Sequence, residues 1–142
     1  MLNLTELAED LKAKTYWQIT PTDMEDSQYL AMVLHGLKRL FIDTGRARQY
    51  NVLNLTTLDD GSYCYEGHFE IDEEEYIKIC SQIDFFKKVQ NAYNERVGYS
   101  TDAMTVTNAD KPYANLKDTI ANLENERRIV YFKMVRFVLG EG

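Results

Sequence analysis

The chain has 142 residues, 44% of them apolar and 27% charged, proportions of one globular domain rather than of a disordered or fibrous chain. A net charge of −7 argues against a surface that tracks phosphates, so no direct nucleic-acid binding is expected. No apolar run approaches the roughly 20 residues of a membrane span, and the early acids Glu6, Glu9 and Asp10 fit neither a signal nor a transit peptide.

The first predicted element is a helix over about 4–14. Leu4, Leu7, Ala8 and Leu11 share one face, and Asn3 with Glu6 has capping-box spacing. Thr20-Pro21-Thr22 breaks it, and Thr22 with Glu25 opens a second helix over about 22–43, with Leu30, Val33, Leu34, Leu37, Leu40 and Phe41 on its apolar face. Asp43-Thr44-Gly45 is the stop, with Gly45 free to turn left-handed.

The period changes between Asn51 and Ile71. Val52, Leu53, Leu55 and Leu58 precede an Asp59-Asp60-Gly61-Ser62 turn, after which Tyr63, Tyr65, Phe69 and Ile71 fall on one parity. A β-hairpin over about 51–71 is expected, with a bulge near Gly67. Because a lone hairpin is marginal in water, it must pack on the helices or on a neighbouring chain.

Asp72 and Glu75 suggest a third cap, and Tyr76, Ile79, Cys80, Ile83 and Phe86 form the stripe of a helix over about 73–96, closed by Gly98. The polar segment from Tyr99 to Ala109 reads as a loop. Asp110 and Pro112 then open a last helix over about 111–138. Its seam of Leu116, Ile120, Leu123, Arg127, Val130, Met134 and Phe137 advances in steps of four and three, the pattern of a helix packed along its whole length. Arg127 is the one polar member. It needs a carboxylate, expected from Glu124 or from the facing helix, with an intersubunit salt bridge as the alternative. The fold class is therefore mainly α, a four-helix bundle-like domain with one inserted β-hairpin.

Chemistry has little to work with. His35, His68, Cys64 and Cys80 are all the His and Cys the chain contains. Cys64 and His68 lie four apart in a predicted strand, about 13 Å along the backbone, too far for a nucleophile and its base. His35 reads as a partly buried structural histidine, and the two cysteines as free thiols in a reducing compartment. No close-spaced ligand pair for zinc, phosphate-binding glycine loop or calcium loop is present. No enzymatic activity, cofactor or metal is expected.

Protein contacts are the expected business of this chain. Ten tyrosines are too many for the core alone, and interfaces favour tyrosine, with half-buried tyrosines around a small core as the alternative. Between Arg48 and Lys78 there is no Lys or Arg, while eight acids fall there, Asp59, Asp60, Glu66, Glu70 and Asp72 to Glu75. Acids at a helix start have a local reason in the helix dipole, and the same block suits docking to a basic partner. The candidate interface residues are Asp59, Asp60, Tyr63, Tyr65, Glu70, Glu73, Tyr99 and Arg127.

The order of elements, together with Tyr99-Ser-Thr-Asp-Ala-Met104, Asn108-Ala-Asp-Lys-Pro-Tyr113 and Leu123-Glu-Asn-Glu-Arg-Arg128, resembles the head–tail connector (adaptor or neck) proteins of tailed bacteriophages. The resemblance implies a structural subunit of a homo-oligomeric ring beneath the portal protein. It would be made in the host cytoplasm and located in the virion neck, with portal and tail or neck proteins as partners. Only a short tail follows Phe137, which makes the hairpin the expected extended contact. An acidic inhibitor or immunity-type protein that binds a basic enzyme is the alternative, set apart by forming no ring.

Overall fold

A computed structural model describes residues 1–15, 24–99 and 103–140, with side chains over 1–15, 24–92 and 115–135. Four α-helices among these residues, α1 (Leu4–Thr15), α2 (Asp26–Asp43), α3 (Ile71–Tyr99) and α4 (Ala103–Gly140), pack in sequence order beside a small antiparallel sheet. The mainly α class with an inserted hairpin is what the periodicity predicts.

α1 starts where Asn3 Oδ1 accepts the Glu6 N–H at 3.0 Å, as its spacing requires. α2 starts later than predicted, at Asp26, and its reciprocal cap shifts with it: the Glu25 N–H donates to Gln28 Oε1 at 2.8 Å. Thr22, to which the sequence assigned the cap, lies outside the described residues. At the other end of α2, Gly45 takes a φ of +74°, its N–H donates to the Ile42 carbonyl, and the Arg46 N–H donates to that of Phe41. These two bonds complete a Schellman motif and satisfy carbonyls the helix leaves free.

The hairpin is smaller than its sequence pattern. Val52–Asn54 is a 3-10 turn, held by Asn51 Oδ1 accepting the Leu53 N–H, so the strands are only β2 (Leu55–Thr57) and β3 (Tyr63–Tyr65). The third strand, β1 (Leu2–Asn3), pairs with the other edge of β3, giving the order β1-β3-β2. The side-chain alternation ends at Tyr65, because Gly67 at φ +137° turns the chain out of the sheet. Ile71, expected on the apolar parity, is 85% exposed and opens α3 instead. The cap of α3 lies two residues upstream of the predicted one, with the Glu70 N–H donating to Glu73 Oε1 at 3.0 Å.

α3 and α4 form a long antiparallel pair. Leu116, Ile120, Leu123, Val130 and Met134 are buried, as the seam predicts, and the side chain of Phe137 lies outside the described residues. The segment read as a loop up to Ala109 is helical from Ala103, so Asp110 is not a cap and Pro112 sits within the helix. Its ring removes one N–H from the ladder, the bond to the Asn108 carbonyl, and the helix runs through that gap. The Thr- and Asn-rich composition misled because these residues are only modestly disfavoured in helices.

One cluster of buried side chains joins all four helices to β1 and β3. α2 and α3 approach closely at Gly36, where a Cβ would stand 2.9 Å from the Ile77 carbonyl oxygen. Phe41, Tyr50, Tyr65 and Phe69 form an aromatic group that seats the sheet on the C-terminal end of α2.

Candidate functional site

The acidic block divides into a turn and a helix start. At the turn, Leu58 N–H donates to the Ser62 carbonyl and Gly61 N–H to that of Leu58, while Gly61 takes a φ of +88°. Asp60 Oδ1 accepts the Ser62 N–H at 2.9 Å, and the bonds from Ser62 hold its carboxyl below the usual range. Asp59 and Asp60 are both exposed, so the tip of the turn presents two carboxylates to solvent.

At the helix start, Glu73 is committed within the chain. Its Oε2 receives Arg46 Nη2 at 2.5 Å, and its side chain is only 14% exposed. Glu70 is exposed and lies 3.2 Å from His68 Nε2. Acids here face the unpaired amides of the first turn of α3, which gives them a local stabilising role.

The tyrosines separate as well. Tyr63 is half-buried and packs against the core, with its N–H donating to Thr5 Oγ1 at 2.8 Å. Tyr65, paired with it in the sequence reading as an interface anchor, is 2% exposed and belongs to the core. Its hydroxyl accepts the Asn51 N–H at 3.1 Å and fixes the 3-10 turn from inside. The difference follows from the register: Tyr65 is flanked by Leu2 and Leu55 on both neighbouring strands and stacks on Tyr50, whereas Tyr63 is paired with Thr57 alone. Tyr99 ends α3, its side chain outside the described residues. A helix of 29 residues spans about 40 Å, so Tyr99 shares no patch with Glu73 at its other end.

Arg127 has a different setting from the one expected. Glu124 pairs with Lys87 across α3 and α4 at 3.6 Å, and among the described residues no carboxylate lies within ion-pair distance of Arg127. It lines a groove of about 310 Å³ together with Arg39, Asp43, Tyr76, Arg128 and Tyr131. Its floor is a fixed network in which Asp43 Oδ2 accepts from Arg39 Nε at 3.0 Å and from the Tyr76 hydroxyl. Burial raises the pKa of Tyr76, with its bond to Asp43 adding to the effect. Beneath it, burial pushes the Cys80 thiol up to about 11, against the opposing pull of Arg127. Three guanidiniums therefore line a groove with one carboxylate, whose Oδ2 already accepts two bonds.

The sequence reading did not find this groove. Arg39 and Asp43 stand at i, i+4, a usable signal. Tyr76 falls in an apolar stripe, and only the packing of α4 brings Arg127 and Arg128 to the same place. His35, read as partly buried, is exposed, and its Nδ1 lies 2.5 Å from Asp84 Oδ2. A second cleft, of about 390 Å³, lies between α1 and α2 and is bordered by the Lys12–Asp26 ion pair.

Cys64 and Cys80 are buried free thiols. Among the described residues no group of three or more His, Cys, Asp and Glu is arranged to hold a metal ion, and no helix is long and apolar enough to cross a membrane. No family model, curated protein or solved structure matches this chain.

Proposed function

We propose that the protein is a structural subunit of a ring, a head–tail connector between the portal and the tail of a bacteriophage particle, with no catalytic role. The observation that carries the reading is the two-sided character of α4. Its inner face is the buried seam against α3, and its outer face still carries Ile129 at 50% exposure and Phe132 at 59%. A helix that needs only its own bundle keeps its outer face polar. Apolar residues spaced i, i+3 on the solvent side suit packing against a neighbouring subunit. The same helix contains most of the residues that resemble neck proteins.

Particle imaging tests the proposal. The chain is expected in several symmetric copies between capsid vertex and tail, and particles assembled without it are expected to have filled heads and no tails. Tailed, infectious particles in its absence would overturn the reading.

The alternative of an acidic inhibitor draws on the exposed carboxylates of Asp59, Asp60 and Glu70. It requires a monomer or dimer that captures one basic enzyme, and a stable one-to-one complex of that kind would favour it over the ring.

A further inference from the structure

We infer that the arginine groove of one copy receives the acidic β2–β3 turn of a second copy, in a head-to-tail contact. The inference rests on the ring-subunit reading and gives that ring its chemistry. Three observations lead to it.

The groove holds more cationic donors than its own chain uses. Arg39 is bound to Asp43, and Asp43 also accepts from Tyr76. Arg127 and Arg128 line the same groove, and among the described residues neither forms an ion pair. A guanidinium fork matches the geometry of a carboxylate, and the groove offers two of them besides Arg39. In a chain of net charge −7 a local excess of arginine is an exception to the overall balance.

The turn is the complementary feature. Asp59 and Asp60 stand at an exposed tip whose hydrogen bonds are internal, so its shape is set before any partner arrives. Of the other acids of the block, Glu73 is held by Arg46 and Glu70 lies beside His68, while Glu66, Asp72 and Glu75 are exposed but stand away from the tip of the turn.

The two features lie in different parts of the fold. The turn joins β2 and β3, and β3 is tied to β1 and to Thr5 of α1. The groove is walled by residues of α2, α3 and α4. A contact between unlike patches on identical chains is heterologous, and it closes into a ring when the rotation per copy is right. A duplex nucleic acid is a poorer occupant, because a single small groove cannot track a row of phosphates.

Two variants isolate the contact. Asp59→Asn with Asp60→Asn removes the charge of the turn, and Asn can still accept the Ser62 N–H. Arg127→Gln with Arg128→Gln removes the charge of the groove, and Arg128→Gln alone serves if the double variant folds poorly, since Arg128 is exposed. Each variant alone has lost one half of the contact, whereas a mixture restores one complete contact and stops at a one-to-one dimer. Sedimentation velocity at low salt, with amide shifts of the labelled turn variant, is expected to show that dimer only in the mixture. Its affinity is expected to exceed self-association of either variant by about tenfold or more and to fall with salt.

Absence of a dimer in the mixture at millimolar concentration, or shifts confined to residues away from the groove, would overturn the inference. So would binding of a short DNA duplex at the groove without any chain–chain complex. The imaging experiment reports separately: a ring in particles with no dimer in the mixture keeps the connector and removes this contact. A dimer with no place in particles does the reverse.

Discussion

Arg46 and Glu73 close the loop between α2 and α3 with an ion pair of 2.5 Å, and the Arg46 guanidinium also lies 5.4 Å from the centre of the Phe41 ring. The pair joins the end of one helix to the beginning of another at the edge of the aromatic group. Glu73→Gln can keep the acceptor for the Glu70 N–H but puts an amide nitrogen in place of the oxygen that faces Arg46, losing that bond with the charge, so a cost of about 1 kcal/mol is expected. Arg46→Ala also loses the ring contact and leaves Glu73 unpaired, and is expected to cost more, about 2 kcal/mol. Urea unfolding of the two variants checks the order.

Gly36 and Gly45 are both intolerant of alanine, for different reasons. At Gly36 the added Cβ meets the Ile77 backbone oxygen, which cannot move without shifting α3 against α2. A loss of about 1–3 kcal/mol is expected. At Gly45 nothing stands within 4 Å, and the cost is that of a left-handed residue with a Cβ, about 1–2 kcal/mol. Thermal melts check both losses; amide shifts in α3 are expected to move for Gly36→Ala and to stay fixed for Gly45→Ala.

Tyr65→Phe is expected to destabilise the protein by about 1 kcal/mol, because the Asn51 N–H loses its acceptor while the ring stays in place. Tyr65→Ala is expected to cost about 3–5 kcal/mol by opening a cavity among Phe41, Tyr50 and Phe69. Denaturant titration checks both, and any change in assembly caused by Tyr65 variants is expected to follow their stability.

Alkaline pH is expected to weaken the fold. The Cys80 thiol is raised from its ordinary 9.0 to about 11 by burial, so the native state holds a proton that the unfolded chain releases. The stabilising effect is complete below pH 9 and is lost as pH climbs toward about 11. Tyr76 shifts in the same direction. Cys80→Ala is expected to lower stability at pH 8 and to flatten its decline between these limits, as followed by unfolding at several pH values. In the native protein at pH 8 the two buried thiols should react with a thiol reagent far more slowly than in urea.

Much of the helical framework was legible in the sequence, because its signals are local. The Leu116–Met134 seam, the Asn3 cap and the left-handed Gly45 each depend on spacing that a single helix imposes. Boundaries failed where two local signals competed: Thr22 and Asp72 offered plausible caps, and Glu25 and Glu70 took those places. Pro112 reads as a helix start from its own preferences, and the start at Ala103 lies outside their reach. The site was less legible. Tyr63 and Tyr65 look alike in a strand pattern, and only the register of β1 and β2 on β3 decides which one is enclosed. Arg127 announces that it needs an anion, but the sequence cannot show that Lys87 has already taken Glu124.

The pairing of β1 with β3 bears on the order in which the molecule assembles itself. The ladder pairs Leu2 with Tyr65, and beside it the Tyr63 N–H reaches Thr5 Oγ1 across 58 positions of chain, whereas α3 and α4 are consecutive and meet by folding back once. Closing the longer span carries the larger entropy cost before any contact offsets it. The helical hairpin can therefore form early from neighbouring segments, and the sheet is expected among the last structures to lock. Until β1 arrives, one edge of β3 keeps its backbone donors and acceptors unpaired. The order differs on the ribosome, where β1 and β3 have both emerged before α3 and α4 are complete, so the edge can be covered during synthesis by a strand only two residues long.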